Sequence, residues 1–185
     1  MYFGSFNPVH VGHLIIANHV ANNTNLDQVW LVVSPQNPFK KENSLLNERH
    51  RKHLIDLCIE GERKLRTSGV EFKLPKPSFT IDTMTYLAEK YGQHTFFIIM
   101  GSDSLTNIAK WKNNETLLKN YEIYVYERPG FQINPGSDTR IHFLKAPLLD
   151  ISSTRIRELI RAKKSIRFLV PDVVKEEIEK HQYYS

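Results

Sequence analysis

Gly4-Ser5-Phe6-Asn7-Pro8-Val9-His10-Val11-Gly12-His13 is the stretch on which the reading of this chain turns. The apolar pair Tyr2-Phe3 precedes it, and a helical pattern from His13 to about Asn22 follows, so the segment reads as a tight strand-to-helix turn. Gly4, the small Ser5 and the rigid Pro8 suit such a turn, and Gly12 leaves the backbone open to close approach. His10 and His13 are three positions apart on what reads as the first turn of the helix, where residues share a face. The unpaired N–H groups of a helix start attract anions. The segment is therefore a candidate phosphate site. The alternative is a loop whose histidines only cap a helix.

The rest of the chain bounds the answer. Its 185 residues, 41% of them hydrophobic, suit one domain that buries ~70% of its unfolded surface. The single cysteine, Cys58, lies between Leu57 and Ile59 and reads as apolar filling. No charged leader with an apolar core and no long apolar run is present, so neither secretion nor membrane spanning is expected, and cytoplasmic residence is the default. A net charge of +5 favours an anionic partner, either nucleotide phosphates or nucleic acid.

Strand-like and helix-like segments alternate, which predicts an α/β fold with a mainly parallel sheet covered by helices. Strands are expected at Tyr2-Phe3, Val29 to Val33, Val70 to Leu74, Thr95 to Met100, Glu122 to Tyr126 and Ile141 to Leu144. Tyr2-Phe3 starts almost at Met1, so either the strand is stunted or a few residues before it are missing. Helices are expected over His13 to Asn22, Asn47 to Gly61, Thr80 to Lys90, Gly101 towards Trp111, Ser152 to about Lys164 and Pro171 to about His181. In such a sheet ligands bind beyond the carboxyl ends of the strands, where strand order switches. Four loops fall there and are expected to converge: Gly4 to His10, Pro35 to Lys41, Gly101 to Asp103 and Asp150 to Thr154.

Asp150-Ile151-Ser152-Ser153-Thr154-Arg155-Ile156-Arg157 places three hydroxyl residues at a helix start, followed by two arginines. One reading is an N-cap with a solvated basic face. The other is a polyphosphate cradle built from free N–H groups, hydroxyls and guanidinium forks.

Together, G-x-F-x-P-x-H-x-G-H from Gly4 and I-S-S-T-x-I-R from Ile151 resemble the nucleotidylyltransferase superfamily. Its nicotinate-nucleotide adenylyltransferase branch is similar in the pieces between: Pro35 to Lys40, Pro77 to Thr83, Gly101 to Leu105 with Trp111, and Arg128-Pro129-Gly130. Two positions depart from the pattern. Asn7 stands where the family usually has aspartate, and Phe39 where a histidine usually precedes the basic residue, so no role of that histidine transfers.

The resemblance implies a single domain, 1–185, with a Rossmann-like doubly wound sheet and helices on both faces. The C-terminal helices, about 152–185, would pack on the nucleotide site. It implies adenylyl transfer from ATP to nicotinate mononucleotide, giving deamido-NAD and pyrophosphate in NAD biosynthesis, without a protein nucleophile. His13, and secondarily His10, would donate to the α-phosphate. Gly4, Ser5, Phe6, Gly12, Gly101, Asp103, Ile151 and Ser152 would complete the ATP site. The Ser153 and Thr154 amides with Arg157 would hold the departing pyrophosphate. Mg²⁺ would arrive on the ATP phosphates rather than in a protein cage. For the acceptor, Trp111 would stack on the pyridine ring, Phe79 and Thr80 would receive the nicotinate carboxylate, and Asn37, Lys40, Asp103 and Arg128 are candidates for its phosphate and ribose. Each has a plainer reading, as core aromatic, helix cap or solvated surface residue. A homo-oligomer is compatible. The rivals are the same fold acting on nicotinamide mononucleotide or another phosphate, the same fold without turnover, and a nonspecific nucleic-acid-binding module. That module would bind in a steeply salt-dependent way.

Overall fold

Val29-Trp30-Leu31-Val32-Val33 is buried along its whole length because it lies inside a sheet with packing on both faces. In the computed structural model, which describes residues 1–36, 45–131, 139–147 and 149–185, six strands form one all-parallel sheet. They are β1 (Tyr2–Gly4), β2 (Val29–Val33), β3 (Leu65–Ser68), β4 (Ile98–Gly101), β5 (Ile123–Tyr126) and β6 (Ile141–Leu144), in the order β3-β2-β1-β4-β5-β6. Among the described residues seven α-helices accompany them: α1 (Val11–Asn23), α2 (Glu48–Cys58), α3 (Thr80–Lys90), α4 (Ser102–Thr106), α5 (Asn114–Asn120), α6 (Ser153–Arg161) and α7 (Asp172–His181).

The two-residue period of the strands divides the core in two. Tyr2, Val29, Leu31, Val33, Ile99 and Tyr126 face α1, α2, α6 and α7, meeting Ala17, Val20, Leu54, Ile55, Ile156, Val174 and Ile178. Trp30, Val32, Ile98, Met100, Ile123 and Val125 face the other way, against Ile81, Met84 and Leu87 of α3 and Leu117 of α5. Each fully buried aliphatic side chain contributes roughly 1.5–3 kcal/mol.

The structure corrects several expectations. Val70 to Leu74 is not a strand. The third strand is Leu65–Ser68, paired with β2, and Val70–Lys73 is a 3₁₀ turn behind it. Alternation at Val70, Phe72 and Leu74 suggests a strand, yet the residue it assigns to solvent, Glu71, is the buried one. The central strand starts at Ile98 rather than Thr95 and extends to Gly101. The helix expected towards Trp111 divides into α4 and a 3₁₀ turn, Ile108–Lys110. Helix α5, hidden in the polar run Lys112-Asn113-Asn114, was not foreseen; it starts from Asn113 in the left-handed region, which asparagine tolerates.

Candidate active site

Strand order switches between β1 and β4, so their carboxyl ends diverge into a crevice. A cavity of about 230 Å³ occupies it. Gly4 to Asn7, His10 and His13 line it from the β1–α1 turn. Gly101, Asp103 and Ser104 line it beyond β4, and Trp111 and Arg128 stand at its side. Ile151 to Thr154 and Arg157 close it from α6. Three of the four loops expected to converge therefore meet. The fourth, Pro35 to Lys41, lies largely outside the described residues, and Asn37 and Lys40 lie there too.

His10 is not in the first turn of α1 but is its N-cap, with extended backbone (φ −144°, ψ 168°). The two imidazoles stack, with centroids 3.6 Å apart. The side chain that glycine lacks at position 12 would press on the His10 ring at 3.1 Å, so Gly12 makes room for the stack, and it lies outside the 230 Å³ cavity. The start of α1 is also less open than the sequence suggests. The Val11 N–H is spent on the Leu169 carbonyl and the His13 N–H on the His10 carbonyl. Those two N–H groups are therefore not open to a ligand. The His10 N–H donates to His13 Nδ1 (3.3 Å), which makes Nε2 the ring nitrogen that carries a proton.

Burial, with the positive charge of Arg128 adding to it, lowers the His10 pKa to about 4, so His10 is neutral at physiological pH. A histidine depressed in the folded state contributes stability above the unfolded pKa of about 6.5, lost as the pH falls towards 4. Across that window this residue is expected to remove on the order of 3 kcal/mol. Urea titrations at pH 7.5 and 4.5 check it. Wild type should lose more stability between the two than His10→Asn, and equal losses would refute the assignment.

The turn and α6, far apart in sequence, are bonded directly. Ser153 Oγ donates to the Pro8 carbonyl (2.9 Å), and the buried Arg157 donates to the Asn7 carbonyl (2.8 Å) and Thr154 Oγ1 (3.4 Å). Asn7 is itself buried, and its side-chain oxygen accepts from the Leu46 N–H, a neutral structural contact that amide chemistry satisfies. Ser152 caps α6 by accepting from the Arg155 N–H. Neither the Ser153 nor the Thr154 N–H is used among the described residues. Across the cavity, any side chain at Gly101 would collide with the Asp103 carboxylate and the Arg128 stem, so only glycine lets that weak pair (3.8 Å) approach the β4 end.

A second cavity, about 130 Å³, adjoins the first through Phe3, Gly4, Ser104 and Trp111. Phe79 and Thr80, at the start of α3, line it. That start has no side-chain cap, and the Thr80 N–H is unused among the described residues. Glu71, Ser78 and Lys112, which sequence reasoning missed, complete its wall.

Arg51 was missed as well. Fully buried, it donates through Nε to the Leu46 carbonyl (2.7 Å) and through its guanidinium to the Ser5, Ser34 (2.9 Å) and Pro35 (3.3 Å) carbonyls. It ties the β1–α1 turn to the end of β2 and the approach to α2. Its sequence signal is positional: Arg51 shares one helix face with Leu54 and Ile55. No cluster of three or more metal-ligating side chains occurs among the described residues, and no described helix is long and apolar enough to cross a membrane.

The cytidylyltransferase-like family model matches residues 1–159. The Cytophaga hutchinsonii protein named "Probable nicotinate-nucleotide adenylyltransferase" is 51% identical over all of this chain and 97% of its own length. A Flavobacterium psychrophilum protein of the same name is 47% identical with the same coverage. Among solved structures, the Plasmodium falciparum nicotinic acid mononucleotide adenylyltransferase complexed with NaAD superposes with a TM-score of 0.85. It covers 99% of this chain and 95% of its own at 22% identity, a likeness of fold. With the crevice at the sheet switch point and the two end motifs facing each other across it, the chain belongs to the cytidylyltransferase-like family and, within it, to the nicotinate-nucleotide adenylyltransferases.

Proposed function

We propose that this protein transfers the adenylyl group of ATP to the 5′-phosphate of nicotinate mononucleotide, forming deamido-NAD and releasing pyrophosphate, in the cytoplasm. The observation that carries the reading is the pair of joined cavities. One is rimmed by imidazoles and unused N–H groups suited to a triphosphate, the other by aromatic rings and a helix start suited to an anionic heteroaromatic ring. The acceptor phosphate attacks the α-phosphorus in line, and the protein contributes position and charge. His13 Nε2 donates to the α-phosphate, with neutral His10 holding the ring by stacking. The Ser153 and Thr154 N–H groups receive the departing pyrophosphate, while Arg157 fixes α6 against the β1–α1 turn. Trp111 and Phe79 flank the acceptor ring, the α3 start meets its carboxylate, and Asp103 and Arg128 lie towards the ribose and phosphate.

Among the described residues Asp103 is the one carboxylate on the wall of the larger cavity, which suits magnesium carried on ATP phosphates rather than caged by protein. Carried on the phosphates beside Asp103, magnesium would supply positive charge to their oxygens. Pyrophosphate release with ATP and magnesium, measured with nicotinate and nicotinamide mononucleotides in parallel, tests the proposal. Preference for the nicotinate form is expected. Equal or reversed preference would overturn the substrate assignment, and no turnover with either would overturn the activity.

A further inference from the structure

Glu71 is a carboxyl group buried to 2% exposure in the wall of the ring cavity. Ser78 Oγ donates to one of its oxygens (2.7 Å) and Thr83 Oγ1 to the other (2.9 Å). Ser34 adds a third hydroxyl bond, and hydroxyl donors hold a carboxylate in place but do not neutralise it. Among the described residues Glu71 has no ion pair. Lys112, the cation on the same cavity wall, is committed to Asp82 at 2.8 Å and lies over the Phe79 ring at 4.9 Å. Burial pushes the Glu71 pKa up, with the hydroxyls opposing. A group whose folded pKa is raised stabilises the fold when protonated, and that contribution is lost as pH rises through the folded pKa. Burial thus works against the charged form, and a buried charge is expected to meet a partner.

The reading of the cavity as the acceptor's ring site supplies one, and the inference rests on that reading. A pyridine bearing ribose on its nitrogen is a cation whatever its ring substituent. We infer that Glu71 is the counter-ion of the acceptor's N-ribosylated pyridinium ring. Phe3, Phe79 and Trp111 on the same wall present aromatic surface, which also favours a flat cation. The carboxylate selects the oxidised, charged ring over its reduced, neutral dihydropyridine form. It does not distinguish nicotinate from nicotinamide, a task left to the α3 start.

Calorimetric binding of nicotinamide mononucleotide and of its reduced 1,4-dihydro form tests this, alongside KM values for nicotinate mononucleotide and ATP. Wild type and Glu71→Asp are expected to prefer the oxidised ligand. Glu71→Gln is expected to lose the preference, raise the acceptor KM roughly tenfold, leave the ATP KM unchanged and melt no lower than wild type. An absence of preference in wild type overturns the inference without any variant. So does a Glu71→Gln enzyme that retains the preference, or one that loses both substrates together with its melting temperature. The adenylyltransferase reading fails separately, on absence of pyrophosphate release by wild type.

Discussion

Arg51→Met is expected to lower the unfolding free energy by about 3–5 kcal/mol and to abolish most of the activity of the molecules that remain folded. The estimate follows from burial: one side chain donates to four backbone carbonyls, of Ser5, Ser34, Pro35 and Leu46, and methionine can donate to none. Breaking a buried charged network costs several kcal/mol because its acceptors remain out of water. Activity goes with it because Ser5 belongs to the turn that carries His10 and His13. Arg51→Lys is expected to recover little, since an ammonium on a flexible stem cannot span carbonyls arranged for a planar fork. Urea unfolding and pyrophosphate release measure the two effects. A loss below about 1 kcal/mol, the scale of a typical hydrogen bond, would show that the loops hold one another without this arginine.

The second large effect lies in chemistry rather than folding. His13→Ala is expected to reduce kcat by on the order of 10²–10³, the loss seen when a preorganised donor to a developing charge is removed, with a change in melting temperature of only a few degrees. The ring is half-buried and accepts a long, 3.3 Å bond from the His10 N–H. Single-turnover rates at saturating ATP separate the step from binding. A variant with unchanged kcat and raised KM would make His13 a binding residue only.

The strands and helices that declare themselves are those whose local pattern and tertiary environment agree. β2 is an unbroken apolar run because both its faces are packed, and α3 starts where Pro77-Ser78 gives way to a helical period. β3 is Leu65-Arg66-Thr67-Ser68, an edge strand with one aliphatic residue. Its character comes from pairing with β2, and Arg66 covers Trp30 at 4.7 Å, so its charge is no sign of a loop. At the site, His10, His13 and Ser152 to Arg157 are legible because motif and chemistry coincide. Arg51 and Glu71 are not, because each looks like a solvated charge until the carbonyls and hydroxyls that surround it are brought together from distant elements.

The bonds from Ser153 to the Pro8 carbonyl and from Arg157 to the Asn7 carbonyl join residues 145 and 150 positions apart. All six strands precede them, ending at Leu144. On the ribosome, therefore, the segments of all the described strands emerge before the helix that closes one side of the crevice. A transcript broken anywhere between β6 and α6 encodes a polypeptide that holds the described strands and lacks the α6 wall of the crevice. The crevice is closed last, with the emergence of α6, so truncated translation products lack the bonds from Ser153 and Arg157 that hold the β1–α1 turn.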